Sequence, residues 1–594
     1  MAMKTLLAVV TTMTALCAAR AQAPVYVGPR ARVGGVDPVN NVIYVATNGN
    51  NNASGTINAP YRSINVALGA ASPGDTIVLR GGTYQEGINV RVRRPNITIK
   101  SAHGEWAVID LPYSGTEDPD DPAFGEESAV YFDPEASGCT LRSVEVIGGY
   151  YAVCLETKWA WGGNDDYVAT SNILIEDCVL HHSRYDVVKI KPNCNHITIR
   201  YNEIHHSGRA FAVPGHTFDG QDNAEGIDNV NGDNMVVQNN YIHDICSNGI
   251  YAKGGASDAV IENNIVERTY GAGIMLGFDT SPKWFDTFYD PNANPHYYEN
   301  IRGIVRSNLV VDTGWEGIGL YASLDAQVYN NTLVNVANLG LFGRSAIYFG
   351  IALQDWDTSL NGIGRPPNTN PNIHHNVVCQ PNSIVLPMID VRYDNNSQLG
   401  ILSGLAGNPT MDYNCYFITN KNATFSDHRA GRILSAGLFP AWQPHISGDT
   451  HSVTVNPLLD ADRVSTNALC AGMGIQHPLR LFPLTTANGI PLAWLDLYYP
   501  NDPNGHEHLS VMDGANGVPM LDSWVAGLVP TNRASRFLIT NIVVNALSGA
   551  VTLDWTPNRS DRVYTVKGLT NLTDRGWSPT NNASRFFKVE VGLP

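Results

Sequence analysis

Five phrases constrain the fold more than anything else in the chain. "NHITIRYNEIHHSG", "DNMVVQNNYIHDIC", "SDAVIENNIVERTY", "IRGIVRSNLVVDTG" and "DAQVYNNTLVNVAN" align on one asparagine each, Asn202, Asn240, Asn264, Asn308 and Asn331, with β-branched residues on both sides. Adjacent copies lie 23 or 24 residues apart unless an insertion intervenes. That period accommodates three short strands and their turns. One such coil cannot bury its apolar face, whereas stacked coils share a continuous core and pair every strand with the coils above and below. The expected fold is therefore all-β, a parallel β-helix. Its asparagines need no chemistry to explain them, because amides stacked in a turn hydrogen-bond from coil to coil.

The two ends read differently. Lys4, the apolar run "LLAVVTTMTALCAA" and the small residues of "ARAQA" describe a signal peptide over residues 1–23. No later stretch is apolar for long enough to span a bilayer, so an exported, monomeric protein is expected. A helix from about Arg62 to Ala71, followed by the turn Pro73-Gly74-Asp75, would plug the open end of the solenoid. This stretch resembles the entry to secreted right-handed β-helix proteins that act on carbohydrates, and the solenoid is assigned residues 24–480 with that handedness. Beyond it, an acidic linker (481–535) and a terminal β-module (536–594) resemble the carboxyl ends of exported bacterial proteins. "DPNGHEH" and "DGANG" keep part of the calcium-loop pattern such linkers carry. Cys17 leaves with the leader. Eight cysteines remain, with spacings unlike a metal knuckle, so scattered buried thiols are expected although an even count permits disulfides. A net charge of −17 argues against nucleic acid as a partner.

Placing one strand of each coil in register aligns "DVVKIKPN", "EGIDNVNG", "NGIYAKGG", "AGIMLGFD" and "EGIGLYAS". Val188, Ile227, Ile250, Ile274 and Ile318 then face the core, and the alternation of a strand turns Lys189, Lys191, Asp228, Tyr251, Lys253 and Tyr321 outward. Coils sit about 4.8 Å apart, so Lys191 and Lys253 stand roughly 10 Å from each other in one column. The framework repeats because the solenoid must stack. The charged residues change from coil to coil because this face receives a substrate. Three insertions would wall a groove over it: 208–224, with Arg209, His216, Asp219 and Asp222; 280–300, rich in aromatics including Trp284; and 355–372, with Trp356 and Arg365. Aromatic rings there either stack on sugars or pin the loops to the body. His205 and His243 read as turn residues, and His182 and His206 as groove candidates.

"DVVKIKP", "NAEGID" and "NGIYAKGG" resemble the active face of the family nine polysaccharide lyases, β-helix enzymes that cleave pectate. The resemblance implies calcium ligands at Asp186, Glu225 and Asp228, with Asp222 a further candidate, and a lysine base at Lys253. Two departures stand out. Ala224-Glu225 replaces a double aspartate, and Tyr251 occupies the lysine's usual place, moving the lysine about 6.6 Å along the strand. "DVVKIKPNCNHITIRYNEI" is similar to a strand of the family six lyases of alginate and dermatan, which implies Lys191 as base; the arginine that family places one coil on is Val230 here.

These residue types suit β-elimination from a uronate. The proton at C5 becomes removable when a cation neutralises the neighbouring carboxylate, and a base then takes it. Crowding among Lys189, Lys191 and Lys253 would lower a lysine's pKa toward that of a base, and Tyr251 would protonate the leaving oxygen. Arg209, His206, Trp284 and Tyr321 are the substrate-binding candidates, and an extracellular polysaccharide is the expected partner. Two other readings stay open: a glycoside hydrolase using paired carboxylates, and a non-catalytic glycan-binding surface protein. Outward charges on a solenoid also form plain surface ion pairs, Lys189 with Asp228 for instance, that contribute little.

Overall fold

The computed structural model describes residues 23–592 apart from 114–126, 159–167, 213–222, 341–343, 353–363, 397–398, 484, 487, 500–505, 545–550, 559–562, 570–577 and 580–585. All of the expected leader except Ala23 lies outside the described residues, as do His216, Asp219, Asp222, Trp356 and most of "DPNGHEH".

Each coil contributes one strand to each of three sheets. In two successive coils these are Thr198–Arg200, Glu203–Ser207 and Ile227–Val230, then Val236–Gln238, Tyr241–Ile245 and Ile250–Lys253. Strands pair in parallel between coils, giving sheets of 12, 11 and 12 strands and a right-handed parallel β-helix. Apolar side chains alternate inward, so Ile199, Ile204 and Ile227 of one coil stack on Val237, Ile242 and Ile250 of the next in one continuous core.

The corner between the first and second sheets explains the asparagines. The residue before each one, Tyr201, Asn239, Asn263, Ser307 or Asn330, sits in the left-handed region with φ between 54° and 58°, which swings the chain through a sharp bend. The asparagine after it is fully buried and holds that bend. Each Nδ2 donates to the next coil's Oδ1 at 3.0–3.1 Å, and that Oδ1 also accepts the backbone N–H of the asparagine before it. The ladder continues through Asn376 and Asn414, two coils beyond the phrases that revealed it.

Both ends of the core are closed. The helix Ile64–Ala70, capped by Ser63, places Ile64, Ala67 and Leu68 over one end. At the other end the parallel strands stop at Thr424–Asp427, well before residue 480; the strand Leu434–Leu438 covers that edge in antiparallel fashion. The helix Phe439–Ile446 then buries Trp442 against Phe425, ring centroids 5.1 Å apart, with the indole N–H donating to Asp449 at 3.0 Å. The following chain returns along the outside of the second sheet, where Ile475 and Leu479 cover Ile265, Leu309 and Val311, and Leu479–Leu481 pairs with Val25–Val27. A corner of the sequence that looks like continuing solenoid is thus a strap, needed because that outer face is apolar. The terminal residues form two small antiparallel sheets, Leu538–Val544 with Val551–Thr556, and Val563–Leu569 with Ser578–Pro579 and Phe586–Gly592. The eight cysteines are free thiols, seven of them buried. Among the described residues no helix is long and apolar enough to cross a membrane.

Candidate active site

The third sheet carries the register read from the sequence: Val188, Ile227, Ile250, Ile274 and Ile318 pair in one row, and Lys189, Asp228, Tyr251, Met275 and Gly319 in the next. Its outward face lines a cavity of about 680 Å³ that reaches Lys189, Lys191, Asp228, Val230 and Lys253. Trp284, in a 3-10 turn of the 280–300 insertion, also lines the cavity, while the neighbouring Phe285 is fully buried and pins that insertion to the body. Pinning thus falls to Phe285, and the adjacent Trp284 faces the cavity.

Asp186, Glu225 and Asp228 converge: one oxygen of each lies within 4.8 Å of the others, and all three side chains are buried. The sequence brings them together because Asp186 and Glu225 hold equivalent places two residues before the aligned Val188 and Ile227, while Asp228 follows in the outward row. Asp186 Oδ1 accepts the Glu225 N–H at 2.9 Å, and Glu225 Oε1 accepts from Ser247 at 2.8 Å and Asn248 at 3.1 Å. Glu225 Oε2 and Asp228 Oδ1 accept no hydrogen bond, while Asp186 Oδ2 faces the Lys189 ammonium at 3.1 Å. Burial pushes the Asp186 carboxyl well above the usual carboxylate range; Lys189 opposes the shift, and the Glu225 and Asp228 charges add to it. Three buried carboxylates, two of them with an unused oxygen, fit a hard divalent cation, which prefers several oxygen ligands and would relieve their mutual repulsion.

Four lysines line the cavity, and their partners separate them. Lys158 pairs with Glu135 at 2.6 Å and Lys191 with Glu156 at 2.8 Å. Lys189 sits on Asp228 and lies 3.1 Å from Asp186. Burial works against its charge, but those two carboxylates outweigh burial and hold Lys189 well above its ordinary pKa. Crowding of cations therefore does not make Lys189 a base, contrary to the expectation from sequence; it is a fixed ammonium in a largely buried ion pair rather than a surface one. Lys253 differs from the others. Its Nζ donates 2.8 Å to the phenol oxygen of Tyr251, a neutral partner. Burial and then the charges of Glu225, Asp228 and Asp186 push that phenol well above its ordinary pKa, so it stays protonated. Tyr251 is itself packed with Met275 and Phe278 beneath the surface and is absent from the cavity wall, so it positions Lys253 instead of reaching a sugar oxygen as expected.

Several expected contacts lie elsewhere. His206 belongs to a histidine cluster on the second sheet, where His205 and His243 stand on strands and not in turns. Arg209 opens the short helix Arg209–Ala212 and does not line the cavity. Tyr321 is buried, donating to Glu316 at 2.5 Å and accepting from Arg344 at 2.6 Å. Arg365 is buried against Glu299 at 2.9 Å, under Phe285 and Tyr297. Asp222 lies outside the described residues.

Other cavity residues escaped the sequence reading. Tyr150, Tyr151 and Tyr185 form an aromatic wall, with Tyr150 and Tyr185 stacked 5.0 Å apart at 10°. Glu156, next to Lys191, also accepts from the Tyr131 hydroxyl. The signal was there: "VCLE" aligns with "VKIK" through Val153↔Val188 and Leu155↔Ile190, which puts Glu156 level with Lys191 and the Tyr-Tyr pair at the preceding corner. That coil lacks the asparagine landmark, so the alignment never reached it.

Stacked parallel coils with a charged, aromatic-walled trough on one sheet define the class of fold: a right-handed parallel β-helix. Residues 128–282 match the family model described as "Right handed beta helix region", and residues 47–91 match one described as "Protein of unknown function (DUF1565)". The chain is 34% identical over 122 residues to pectate lyase PEL9 of Emericella nidulans, a match covering 19% of this chain and 29% of that one. It is 33% identical over 144 residues to pectate lyase L of Paenibacillus polymyxa, covering 24% and 28%. The chain thus spans under a third of the length of these curated relatives. Among solved structures it resembles pectate lyase Pel9A, at 17% identity over 59% of this chain and 78% of that one with a TM-score of 0.38. It also resembles the PL6 family polysaccharide lyase Pedsa3628 from Pseudopedobacter saltans, at 13% identity over 68% and 94% with a TM-score of 0.40.

Proposed function

We propose that this protein is an exported polysaccharide lyase that cleaves a uronate-containing polymer by β-elimination, with Lys253 as the base and a calcium ion at Asp186, Glu225 and Asp228. One observation carries the reading: the cavity holds three lysines committed to carboxylates and a fourth, Lys253, bonded to a phenol, beside two buried carboxylate oxygens, Glu225 Oε2 and Asp228 Oδ1, that accept no hydrogen bond. Pectate is the first substrate to test, because both curated relatives are named pectate lyases.

In this reading the uronate carboxylate lies toward the ammonium groups of Lys189 and Lys191, which hold it by charge-assisted hydrogen bonds. Calcium, when bound, adds Lewis-acid neutralisation of that carboxylate. The Lys253 Nζ takes the C5 proton; the electron pair of the C5–H bond forms the C4–C5 double bond, and the C4–O bond breaks. The departing oxygen takes a proton from water, since Tyr251 lies below the cavity surface. The Tyr150 and Tyr185 rings and Trp284 offer apolar faces to the sugar rings.

The test is a panel of pectate, alginate, glycosaminoglycans and neutral glycans, each with and without chelator. New ultraviolet absorbance from an unsaturated uronate, abolished by chelator and by Lys253→Met, is the expected result. New reducing ends without that absorbance would make the protein a hydrolase, and binding without shortening of the polymer would make it an adhesin.

A further inference from the structure

The outer face of the second sheet carries a feature the lyase reading does not use. His181, His205 and His243 occupy one row of three successive coils, their rings stacked 4.6 and 4.9 Å apart. The next residue in each coil, His182, His206 or Asp244, is in the left-handed region with φ of 54–58°, which folds its side chain back beside the first. His182 and His206 consequently stack in a second column, 5.0 Å apart. The two columns face each other through their Nδ1 atoms, at 2.5 Å for His181 and His182 and 2.6 Å for His205 and His206.

We propose that His181, His182 and His205 form a binding site for a borderline transition-metal dication such as Zn2+. One ring nitrogen of each lies within 4.8 Å of the others. Nitrogen donors around a tetrahedral zinc ion stand roughly 3.3 Å apart, so small side-chain rotations complete the site. Three imidazoles are the donor set of a zinc centre with one open position, and they discriminate against calcium, which takes oxygen.

The surroundings orient the donors. His181 Nε2 lies 3.1 Å from Glu145 Oε1, the carboxylate-imidazole pairing that fixes the ring with its proton on Nε2 and its lone pair on Nδ1, toward His182. Burial, and the neighbouring imidazoles, lower His182 to about 4 and His205 to about 2, so neither ring is cationic at neutral pH. Phe211 lies edge-on to His182 at 6.4 Å and to His206 at 4.5 Å, shielding one side. The chain contains its own control. His374 and His375 repeat the turn, with Nδ1 atoms 2.9 Å apart, but belong to no three-donor group among the described residues.

The experiment titrates metal-stripped protein with Zn2+ against a chromophoric chelator, in excess Ca2+ and without polysaccharide. Wild type is expected to take up one zinc ion tightly, His205→Gln to bind it at least tenfold more weakly, and His374→Gln to match wild type. Co2+ in place of zinc should give the intense visible bands of a tetrahedral nitrogen-ligated ion, unchanged by Asp186→Asn. Full zinc affinity in His205→Gln, or a wild-type Co2+ spectrum of octahedral oxygen coordination alone, would overturn the proposal. If His205→Gln does not fold, the wild-type cobalt spectrum decides. The readout needs no substrate, so it stands or falls separately from the lyase assignment.

Discussion

The asparagine ladder and the trough on the third sheet are built from the same coils, yet they treat buried polar atoms in opposite ways. From Asn202 to Asn331, every amide gives its hydrogen to the next coil and accepts from the one before. In the trough, Glu225 and Asp228 each keep an oxygen that accepts no hydrogen bond, and the residue at the outward position changes from Lys189 to Asp228 to Tyr251 within three coils. A buried polar group left unsatisfied costs about 1–3 kcal/mol. Repetition with complete hydrogen bonding is what stability favours, so variation with unused acceptors marks where the solenoid gives up stability for ligand binding.

The sharpest way to test that division is to show that each region controls one property only. Lys253→Met removes the proposed base without disturbing the core, and should lower kcat on the cleaved polymer by about 10²–10⁴-fold, the usual worth of general base catalysis. Its melting temperature should match wild type within a degree or so. Loss of several degrees together with activity would mean that Lys253 is structural.

Asn264→Ala makes the opposite cut. It removes the acceptor of the Asn240 backbone and side-chain N–H groups and the donor to Val237 and Asn308. A destabilisation of about 3 kcal/mol is expected from denaturant titration, from orphaned buried partners plus a small cavity. Activity per folded molecule should be retained, because the ladder lies on a different corner from the trough. Glu225→Gln is smaller in effect and tests the unused oxygens directly: calcium should be needed at roughly tenfold higher concentration, since one anionic ligand becomes neutral. If half-saturating calcium does not move, the triad is not the cation site.

The sequence showed the ladder and the register of the trough because both are written as spacing. A recurring Asn, 23 or 24 residues apart unless an insertion intervenes, and an inward Ile or Val at the third position of each aligned phrase, are one-dimensional facts that stacking converts directly into neighbours. Partnerships across a register were harder. That Lys189 belongs to Asp186 and Asp228 while Lys253 belongs to Tyr251 depends on side-chain reach, not on period. Arg365 and Trp284, both in loops, looked alike as groove residues, yet the arginine is sealed against Glu299 and the indole lines the cavity. The strap that carries Ile475 and Leu479 was hidden for a related reason: an apolar outer face on Ile265, Leu309 and Val311 looks like alternation within a strand until something is seen covering it.

The smallest predicted effect concerns the histidine columns, which repeat like the ladder but titrate, and so test whether repetition alone keeps a face neutral in function. His182 and His205 are held at about 4 and about 2 by burial, against an unfolded value of 6.5. Between pH 6.5 and about 4 the unfolded chain takes protons that the folded columns refuse, so stability falls as pH drops through that window and is level above it. The facing carboxylates act lower down: Glu145 and Glu203 are held below their ordinary values of 4.5 by His181 and His243, and Asp244 below 3.8 by Arg268, with burial opposing. Their contribution is lost only as pH falls below those ordinary values. Thermal unfolding in the presence of chelator should therefore show a decline of a few degrees from pH 7 to 5. His205→Gln should flatten that slope, because the glutamine carries no proton for the folded state to exclude. An unchanged slope would mean that the columns are hydrated and open, and that their stacking does no more than fill the surface.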